Sequence, residues 1–349
     1  MADVYLGVDV HKNYSFFAAI HPDGRIFKFG NRIANTYEAV SNFLNSFGKK
    51  HRFSAVLETG RNWGVMYDLL ESLPMVESVK VANPFKVKAI AHAQLKTDKV
   101  DAVTLAQLLR VNYIPEVYVP PKEIRLQKYL LRQRFYWVRL LIRLKNRIHI
   151  ILARNHILIP EVTDLFGKQG RAFLEAVELP KTEEIILKQH LQLLSYLEWQ
   201  IRAIQEPITE DMKDNENIKL LKTIPGIGEV FAPMIALEIG DIERFTDYRK
   251  LWSYAGLVPS TYASGGRVYH GRLVKFCNKW LRWAFIEAAH AAIRSSVYFG
   301  RNYMRVRNRK GSAAGIIDTA RKIAKIVYLV LKEKRAYWES QPSSKFANR

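Results

Sequence analysis

Four acidic residues in the first third of the chain have the types and spacing of a divalent-metal site. Asp9 interrupts one apolar strand pattern, and Glu58 ends another. Asp98 and Asp101 are three positions apart, so a helix would carry both carboxylates on one face. A carboxylate in an apolar segment is costly to bury unless a cation or a proton balances it. Two Mg²⁺ ions held by such acids, about 3.5–4 Å apart, stabilise the attacking and the leaving oxygen of a phosphodiester.

Three of the four acids also have a simpler explanation. Asp98 could be a helix N-cap or a first-turn acid and Asp101 a first-turn acid, which the positive end of any helix favours. Asp9 alone could be a phosphate-binding residue of an actin-like ATPase, but no second phosphate-binding loop or adenosine pocket is evident. The four acids together favour a metal site with Mg²⁺, for which Mn²⁺ could substitute. No pair of histidines has zinc-ligand spacing, and we expect His11 and His290 to be packing or solvent residues.

Ser264 is the candidate nucleophile. It precedes Gly265 and Gly266, which permit a bulky phosphodiester to approach closely, although such a segment is also typical of an ordinary flexible loop. Of the neighbouring hydroxyls, Ser253 lies in a pattern that predicts a buried helix, and Ser260 directly follows a proline. Cations that would suit a phosphate surround the serine: Arg249, Lys250, Arg267, Arg272, Lys275, Lys279 and Arg282.

The overall composition indicates a polyanionic partner. The 349 residues include 54 Lys and Arg against 33 Asp and Glu, a formal net charge of +21, which is typical of nucleic-acid-binding proteins. A membrane surface is the weaker interpretation, because the basic residues are spread over several segments. The single cysteine, Cys277, excludes a disulfide framework. With no signal-peptide pattern and no apolar run of about 18 residues, we expect a cytoplasmic protein without membrane spans.

Residues 1–115 have the pattern of an α/β domain. Three short β-branched and aromatic segments come first, and Pro22, Asp23 and Gly24 are typical of a hairpin turn between the second and the third. Helical and strand patterns then alternate, up to a helix predicted over Asp98–Arg110. This order predicts a ribonuclease-H-like fold with the four acids on two neighbouring strands and one helix.

Residues 116–215 predict two long helices. Apolar residues recur at heptad spacing, in Leu130, Trp137, Leu144 and Ile151 and again in Leu187, Leu194 and Ile201. Such helices form an antiparallel coiled-coil arm or a dimerisation bundle. Residues 122–156 contain ten Lys or Arg and one acid, Glu123. A solvated helix face is the alternative, but this bias favours a surface that follows phosphates. We predict nucleic-acid contacts from Arg132, Arg139, Arg143 and Arg147.

Residues 216–349 predict a mostly helical domain. The turn at residues 225–228 is typical of a helix-hairpin-helix element, in which the N–H groups of Gly226 and Gly228 approach a DNA phosphate. The same turn could be a simple tight connection. Further phosphate contacts are predicted at Arg267 and Lys275 beside the serine. Residues 301–310 form another basic patch, which includes Arg305 and Arg307.

Five segments occur in order along the chain: residues 7–12 (GVDVHK), 57–60 (LETG), 96–102 (KTDKVDA), 225–228 (PGIG) and 264–266 (SGG). Together they closely resemble the insertion-sequence "one-ten" family of transposases, which is related to the Piv/MooV DNA invertases. The resemblance implies an N-terminal RuvC-like domain with a four-acid DEDD site, a coiled-coil arm and a C-terminal transposase domain with a nucleophilic serine. By motif position the acids are Asp9, Glu58, Asp98 and Asp101, and the serine is Ser264.

The family also implies a structured bridge RNA that pairs with donor and target DNA. Base pairing would then choose the sequence, while the protein recognises backbones and shape. One feature departs from the family pattern. Where relatives carry a Ser-Lys-x-Gly-Asn-like stretch, this chain has Lys275, Phe276, Cys277 and Asn278. Cys277 therefore occupies the glycine position, which puts the local loop geometry in question.

The predicted function is that of a recombinase which cuts and rejoins double-stranded donor and target DNA. Ser264 attacks the scissile phosphate and forms a phosphoserine link, in a homo-oligomer that is a dimer or a tetramer. One alternative is a RuvC-like, structure-specific endonuclease that uses water, with Ser264 only a loop residue. Another is a non-catalytic nucleic-acid-binding protein with structural acids. A covalent protein–DNA adduct separates the first from the second, and metal-dependent cleavage separates both from the third.

Overall fold

The computed structural model describes residues 3–91 and 97–338. The chain divides after Val119 into two compact units. The second unit contains both the predicted arm and the predicted C-terminal domain, so the boundary at residue 215 stays a prediction. No helix in the described ranges is long and apolar enough to cross a membrane.

The first unit is built on a five-stranded mixed sheet. Its strands are β1 (Val4–Val10), β2 (Tyr14–Ile20), β3 (Ile26–Ala34), β4 (Phe53–Glu58) and β5 (Val76–Ala82). Their spatial order is β3-β2-β1-β4-β5, with β1 antiparallel to β2 and parallel to β4. The β-branched and aromatic residues of β1 and β2 are largely buried, which explains why these strands form the centre of the sheet. The mixed α/β architecture is confirmed.

Helices cover the sheet: α1 (Tyr37–Asn45), α2 (Trp63–Glu71), α3 (Pro84–Ile90) and α4 (Asp98–Arg110). Thr97 caps α4 by accepting a hydrogen bond from the main-chain nitrogen of Val100 at 3.2 Å. The helix packs directly on β1 at Gly7, where a Cβ atom would lie only 1.9 Å from the main-chain oxygen of Ala102. The missing side chain of Gly7 therefore permits the close contact of α4 with the central strand.

The second unit begins with α5 (Lys122–Arg154), α6 (Lys168–Ala176) and α7 (Lys181–Met212). Helices α5 and α7 are antiparallel, since Arg154 pairs with Glu183 at one end and Arg134 Nε donates to Gln205 Oε1 at 2.6 Å further along. Leucine and isoleucine side chains of both helices share one apolar cluster. The antiparallel pair agrees with the predicted helices, and the specific coiled-coil arm stays a prediction.

The remainder of the second unit is mostly helical. It comprises α8 (Glu216–Leu221), α9 (Phe231–Ile239), α10 (Tyr248–Tyr254), strands β6 (Pro259–Ser264) and β7 (Arg267–Leu273), α11 (Lys279–Ser295), α12 (Val297–Lys310) and α13 (Ser312–Glu333), with a short 3₁₀ helix at Ile242–Arg244. Fully buried alanines on α11, among them Ala284 and Ala288, join the same core as residues of α9 and α13. Strands β6 and β7 form a separate antiparallel hairpin.

Candidate functional site

Neighbouring parallel strands hold the first two predicted acids. The last registered residue pair between β1 and β4 joins Val8 to Leu57, and Asp9 and Glu58 are the next residues on each strand. Paired residues on parallel strands point to the same face, so the two carboxylates belong to one edge and one face of the sheet. Glu58 is half-buried there. The burial of each strand's apolar residues fixes this register.

The other two acids lie in the first turn of α4, the helix that packs on this face. Asp98 begins the helix, and Asp101 follows one turn later. Because Gly7 lets α4 approach β1 closely, the helix start reaches the end of the strand. The positive end of the helix dipole also favours acids at this position, whether or not a metal ion binds.

His11 lies between two of the acids. Its Nε2 atom is 3.3 Å from Asp9 Oδ2 and 3.0 Å from Asp98 Oδ2. The same atom is buried, and neither contact has the geometry of a hydrogen bond. The main-chain oxygen of His11 accepts hydrogen bonds from the side-chain amides of Asn35 at 2.9 Å and Asn62 at 2.7 Å, which fixes the turn after β1.

Among the described residues, one cluster could share an ion: Asp9, His11 and Asp98. Ligand atoms of these three side chains all lie within 4.8 Å of one another. The structure thus brings two of the four predicted acids together, and it does not group Glu58 or Asp101 with them. His11, which we expected to be a packing or solvent residue, joins the site. Its signal in the sequence was its position two residues after Asp9, at the end of the same strand.

The donor set fits a divalent cation. Two carboxylates provide the hard oxygen ligands that Mg²⁺ and Mn²⁺ prefer, and the buried, unbonded Nε2 atom of His11 is a further donor beside them. The side chain of Asp9 is 26% exposed and that of Asp98 is 47% exposed, so a phosphate could reach an ion held there. The three side chains therefore have the composition and access that a divalent-cation site needs.

Ser264 lies at the tip of the β6–β7 hairpin. It pairs with Arg267 across a two-residue turn, in which Gly265 and Gly266 have φ values of 55° and 78°. Positive φ at both positions is typical of tight hairpin turns and explains both glycines. The segment predicted as a flexible loop is thus a defined turn that exposes the serine.

The hairpin also separates Ser264 from the competing hydroxyls. Ser260 Oγ donates a hydrogen bond to the main-chain oxygen of Arg272 at 3.1 Å. Thr261 Oγ1 is 3.1 Å from His270 Nδ1, and the alternation of a strand places this pair on the face opposite Ser264. Ser253 lies on α10 as predicted, but it is exposed instead of buried.

Exposed aromatic side chains accompany Ser264 on its face of the hairpin. Tyr262 and Tyr269 are cross-strand partners, and each is about two-thirds exposed, at 66% and 69%. Arg267 shares this face by its pairing with Ser264. A hydroxyl, a cation and two aromatic rings therefore form one surface suited to a nucleotide.

The two glycines of the predicted helix-hairpin-helix turn have different surroundings. Gly226 has a φ of 86°, and a Cβ atom there would lie 2.2 Å from the main-chain oxygen of Ala288 on α11. Internal packing therefore explains this glycine without a DNA phosphate. Gly228 is exposed, and a Cβ atom added to it would meet no other atom within 4 Å. The DNA contacts of both residues stay predictions.

Arg132 has an internal partner. It donates to Glu238 Oε1 at 2.7 Å, while Lys128 Nζ lies 3.3 Å from Oε2 and Asn278 donates to Oε2 at 2.9 Å. Burial opposes ionisation of Glu238, but the charges of Lys128 and Arg132 and these hydrogen bonds outweigh it and keep the Glu238 pKa below its ordinary value. The network joins α5 to α9 and α11. Sequence patterns contain no sign of it, because its members are distant along the chain.

The remaining predicted nucleic-acid residues are exposed. The guanidinium of Arg139 lies 5.1 Å from the ring centroid of Trp280, which holds it at the surface of α5. The other predicted contact residues are exposed to solvent: Arg143, Arg147, Arg267, Lys275, Arg305 and Arg307. Cys277 is half-buried against Gly256, and the next residue, Asn278, caps α11. The substitution at the family's glycine position thus leaves an ordinary helix start.

Two family models match separate parts of this chain. A transposase model for the DEDD type of the IS110 family matches residues 6–157, and a model described as "Transposase IS116/IS110/IS902 family" matches residues 218–305. The chain belongs to the IS110 family of transposases. The first match covers Asp9, Glu58, Asp98 and Asp101, and the second covers Ser264.

Several curated proteins are similar to this chain. The transposase of insertion sequence IS1328 from Yersinia enterocolitica is 26% identical over 220 residues, covering 63% of this chain and 65% of the relative. The mini-circle putative transposase for IS117 from Streptomyces coelicolor is 32% identical, covering 38% and 33%. The pilin gene-inverting protein of Moraxella bovis is 26% identical over 97% of this chain and 98% of its own length. The chain thus spans 65% of the length of the first transposase, 33% of the second and 98% of the gene-inverting protein.

Proposed function

We propose that this chain is a DNA transposase that cuts and rejoins DNA through a phosphoserine intermediate, with Ser264 as nucleophile and a metal site in the first unit. The observation that carries the proposal is the convergence of Asp9 and Asp98 in a member of a transposase family. Similarity to a pilin gene-inverting protein over almost its whole length supports a reaction that breaks and reseals DNA.

The metal ligands in this proposal are Asp9, Glu58, Asp98 and Asp101. They would hold two Mg²⁺ ions, for which Mn²⁺ could substitute. When bound, such ions neutralise the charge that develops on phosphate oxygens. Glu58 qualifies by its position beside Asp9 on the next strand, and Asp101 by its place on α4 after Asp98. His11 Nε2, which lies beside both carboxylates without a hydrogen bond, would be a further ligand of the same ion.

Ser264 would act by transesterification. Its Oγ forms a bond to phosphorus, the bond between phosphorus and one sugar oxygen breaks, the Oγ proton passes to solvent, and the departing sugar oxygen takes up a proton. The number of phosphoester bonds is unchanged, so the reverse step with another DNA end rejoins the strand without a further energy source. Arg267 would balance phosphate charge, and Tyr262 and Tyr269 would stack on bases beside the cut.

The partners in this proposal follow from the family and the charge. Donor and target DNA are double-stranded, a structured guide RNA chooses them by base pairing, and a homo-oligomer assembles on them at the bacterial nucleoid. Exposed cations on α5 and α12 would contact backbones without reading sequence, which suits a protein that delegates recognition to RNA. The division into residues 1–115, 116–215 and 216–349 is part of the same proposal.

A metal-dependent endonuclease that uses water is the second candidate. It is favoured by one observation: Asp9, His11 and Asp98 all belong to the first unit, and Ser264 belongs to the second. Such an enzyme would cut DNA without any contribution from the hairpin.

Adduct formation distinguishes the two candidates. The protein is incubated with Mn²⁺, RNA transcribed from the region flanking its gene, and labelled DNA that spans those flanks, and the products are separated on a denaturing gel. We expect a covalent adduct with wild type and with Ser260→Ala and Thr261→Val, and none with Ser264→Ala. Cleavage without an adduct would favour the endonuclease. An adduct that survives Ser264→Ala and disappears in Thr261→Val would show that Thr261, and not Ser264, is the nucleophile.

The metal assignment has its own test. Asp9→Asn should abolish cleavage and lower Mn²⁺ affinity, measured by titration calorimetry, while circular dichroism stays unchanged. Asp68→Asn, a change at an acid on α2 outside the candidate site, is the control and should keep both properties. Unchanged Mn²⁺ affinity in Asp9→Asn would contradict the assignment.

A further inference from the structure

A cavity of about 600 Å³ lies between the end of β7 and the helices α12 and α13. Its size falls within the range of about 300–1,000 Å³ that is usual for sites of small organic ligands. Helices α12 and α13 are joined at Gly311, whose φ of 85° permits the sharp reversal. The cavity belongs wholly to the second unit, and the proposed chemistry of Ser264 and the acids does not use it.

The rim of the cavity is cationic. Its charged lining consists of Arg272, Arg305, Arg309, Lys310 and Arg321, with a single acid, Asp318. Arg305 donates to Asn302 Oδ1 at 3.2 Å and Arg321 to the main-chain oxygen of Leu257 at 2.5 Å. No residue in the described ranges forms an ion pair or a hydrogen bond with the side chains of Arg272, Arg309 or Lys310. Three uncompensated cations around one cavity indicate an anionic ligand.

The floor of the cavity is apolar. Leu273 contributes from β7, Val306 from α12, and Ala314 and Ile317 from α13, and all four are half-buried. A free phosphate would leave this floor unused. A base attached to the phosphate would cover it, and guanidinium groups can also stack on the faces of unpaired bases. Bases in a continuous duplex are stacked inside the helix and cannot enter a pocket.

We propose that this cavity binds one unpaired nucleotide of DNA or RNA, with its phosphate among Arg272, Arg309 and Lys310 and its base on the apolar floor. The site goes beyond cutting and rejoining, since it would recognise a flipped or bulged position in the bound nucleic acid. This inference rests on the proposed guide-RNA pairing, which would open duplexes and leave such positions unpaired.

The test compares two probes that differ by one base. Full-length protein carrying Ser264→Ala, in EDTA and at fixed salt, is titrated by fluorescence anisotropy into a labelled duplex with a single-nucleotide bulge. A matched duplex has an abasic residue at the bulge, and both probes are prepared as DNA and as RNA. Because stacking of one base is worth about 1–3 kcal/mol, we expect the intact bulge to bind roughly fivefold or more tightly than the abasic one. A preference in DNA alone or RNA alone supports the proposal and identifies the source of the nucleotide.

Variants connect the preference to the cavity. Ala314→Phe fills the floor without removing charge and should abolish the difference in affinity between the two probes. If circular dichroism shows that this variant does not fold, Val306→Phe is a second variant that fills the floor. Arg309→Ala should weaken the intact bulge more than Arg301→Ala, which removes an exposed arginine of the same helix outside the cavity. Equal affinity for intact and abasic bulges in both nucleic acids would overturn the proposal, as would a preference that survives filling. Neither result depends on metal or on Ser264, so a missing adduct leaves this proposal unaffected.

Discussion

Replacing Gly7 with alanine tests whether the packing of α4 on β1 builds the acidic site. A Cβ atom at this position would lie 1.9 Å from the main-chain oxygen of Ala102 and 2.7 Å from the main-chain nitrogen of Ala106. Cβ atoms essentially never approach other heavy atoms within 3.0 Å. The helix must therefore move away from the strand by about 1.1 Å, because main-chain atoms cannot rotate aside as a flexible side chain does.

This displacement has two measurable consequences. Overpacking of a well-packed contact should lower the free energy of unfolding by about 1–3 kcal/mol. Metal ligands tolerate errors of only about 0.2 Å, so moving Asp98 away from Asp9 should lower Mn²⁺ affinity by roughly 10–100-fold. Both changes arise from one added methyl group that removes no ligand.

Denaturant unfolding and titration calorimetry with Mn²⁺ measure the two effects on full-length protein. Gly60→Ala is the matched control, since a Cβ atom there has no neighbour within 4 Å, and it should keep both properties close to wild type. If Gly7→Ala loses stability but binds Mn²⁺ as wild type does, the contact between α4 and β1 does not position the ligands. Unchanged stability would contradict the tight packing of α4 on β1, because the helix would then shift without an energetic cost.

The remaining predictions concern charge. Glu238→Gln should lower the free energy of unfolding by about 3 kcal/mol, because Lys128 and Arg132 lose their buried counter-charge, whereas Glu243→Gln, at an exposed ion pair, should barely move the unfolding midpoint. Folding lowers the pKa of Glu238, so its contribution to the free energy of unfolding is complete above its unfolded pKa and is lost as the pH falls through its native pKa. The difference in unfolding free energy between wild type and Glu238→Gln, measured at several pH values, should therefore close in acid. A difference that widens in acid would contradict the assignment. Reversing Arg143 and Arg147 to Glu should weaken binding to unrelated DNA sequences about equally and reduce the salt slope of binding by roughly 2; an unchanged slope would mean that neither contacts phosphate.

Local patterns in the sequence were sufficient for the strands of the first unit, for α4 and for the exposure of Ser264, while the chemical roles of the candidate residues stay predictions. The strand over Val4–Val10 and the helix over Asp98–Arg110 follow from apolar and residue-type patterns, and the structure adds Thr97 as the cap of that helix. Paired glycines after Ser264 predicted an accessible serine, and the structure exposes it at a hairpin turn. These features depend on neighbours within a few residues, which a single sequence displays directly.

Contacts between distant segments could be decided only by the tertiary structure. The role of His11 depends on where α4 meets β1, because Asp98 is far along the chain and the close packing at Gly7 brings it near. Arg132 was one of many cations on a basic helix until folding placed it against Glu238. The sequence by itself determined which residue types could hold a metal, attack a phosphate or contact a backbone, although it placed His11 outside the metal site. Three-dimensional packing decided which of them meet, since side chains from separate elements converge only when a buried core fixes the distances between those elements.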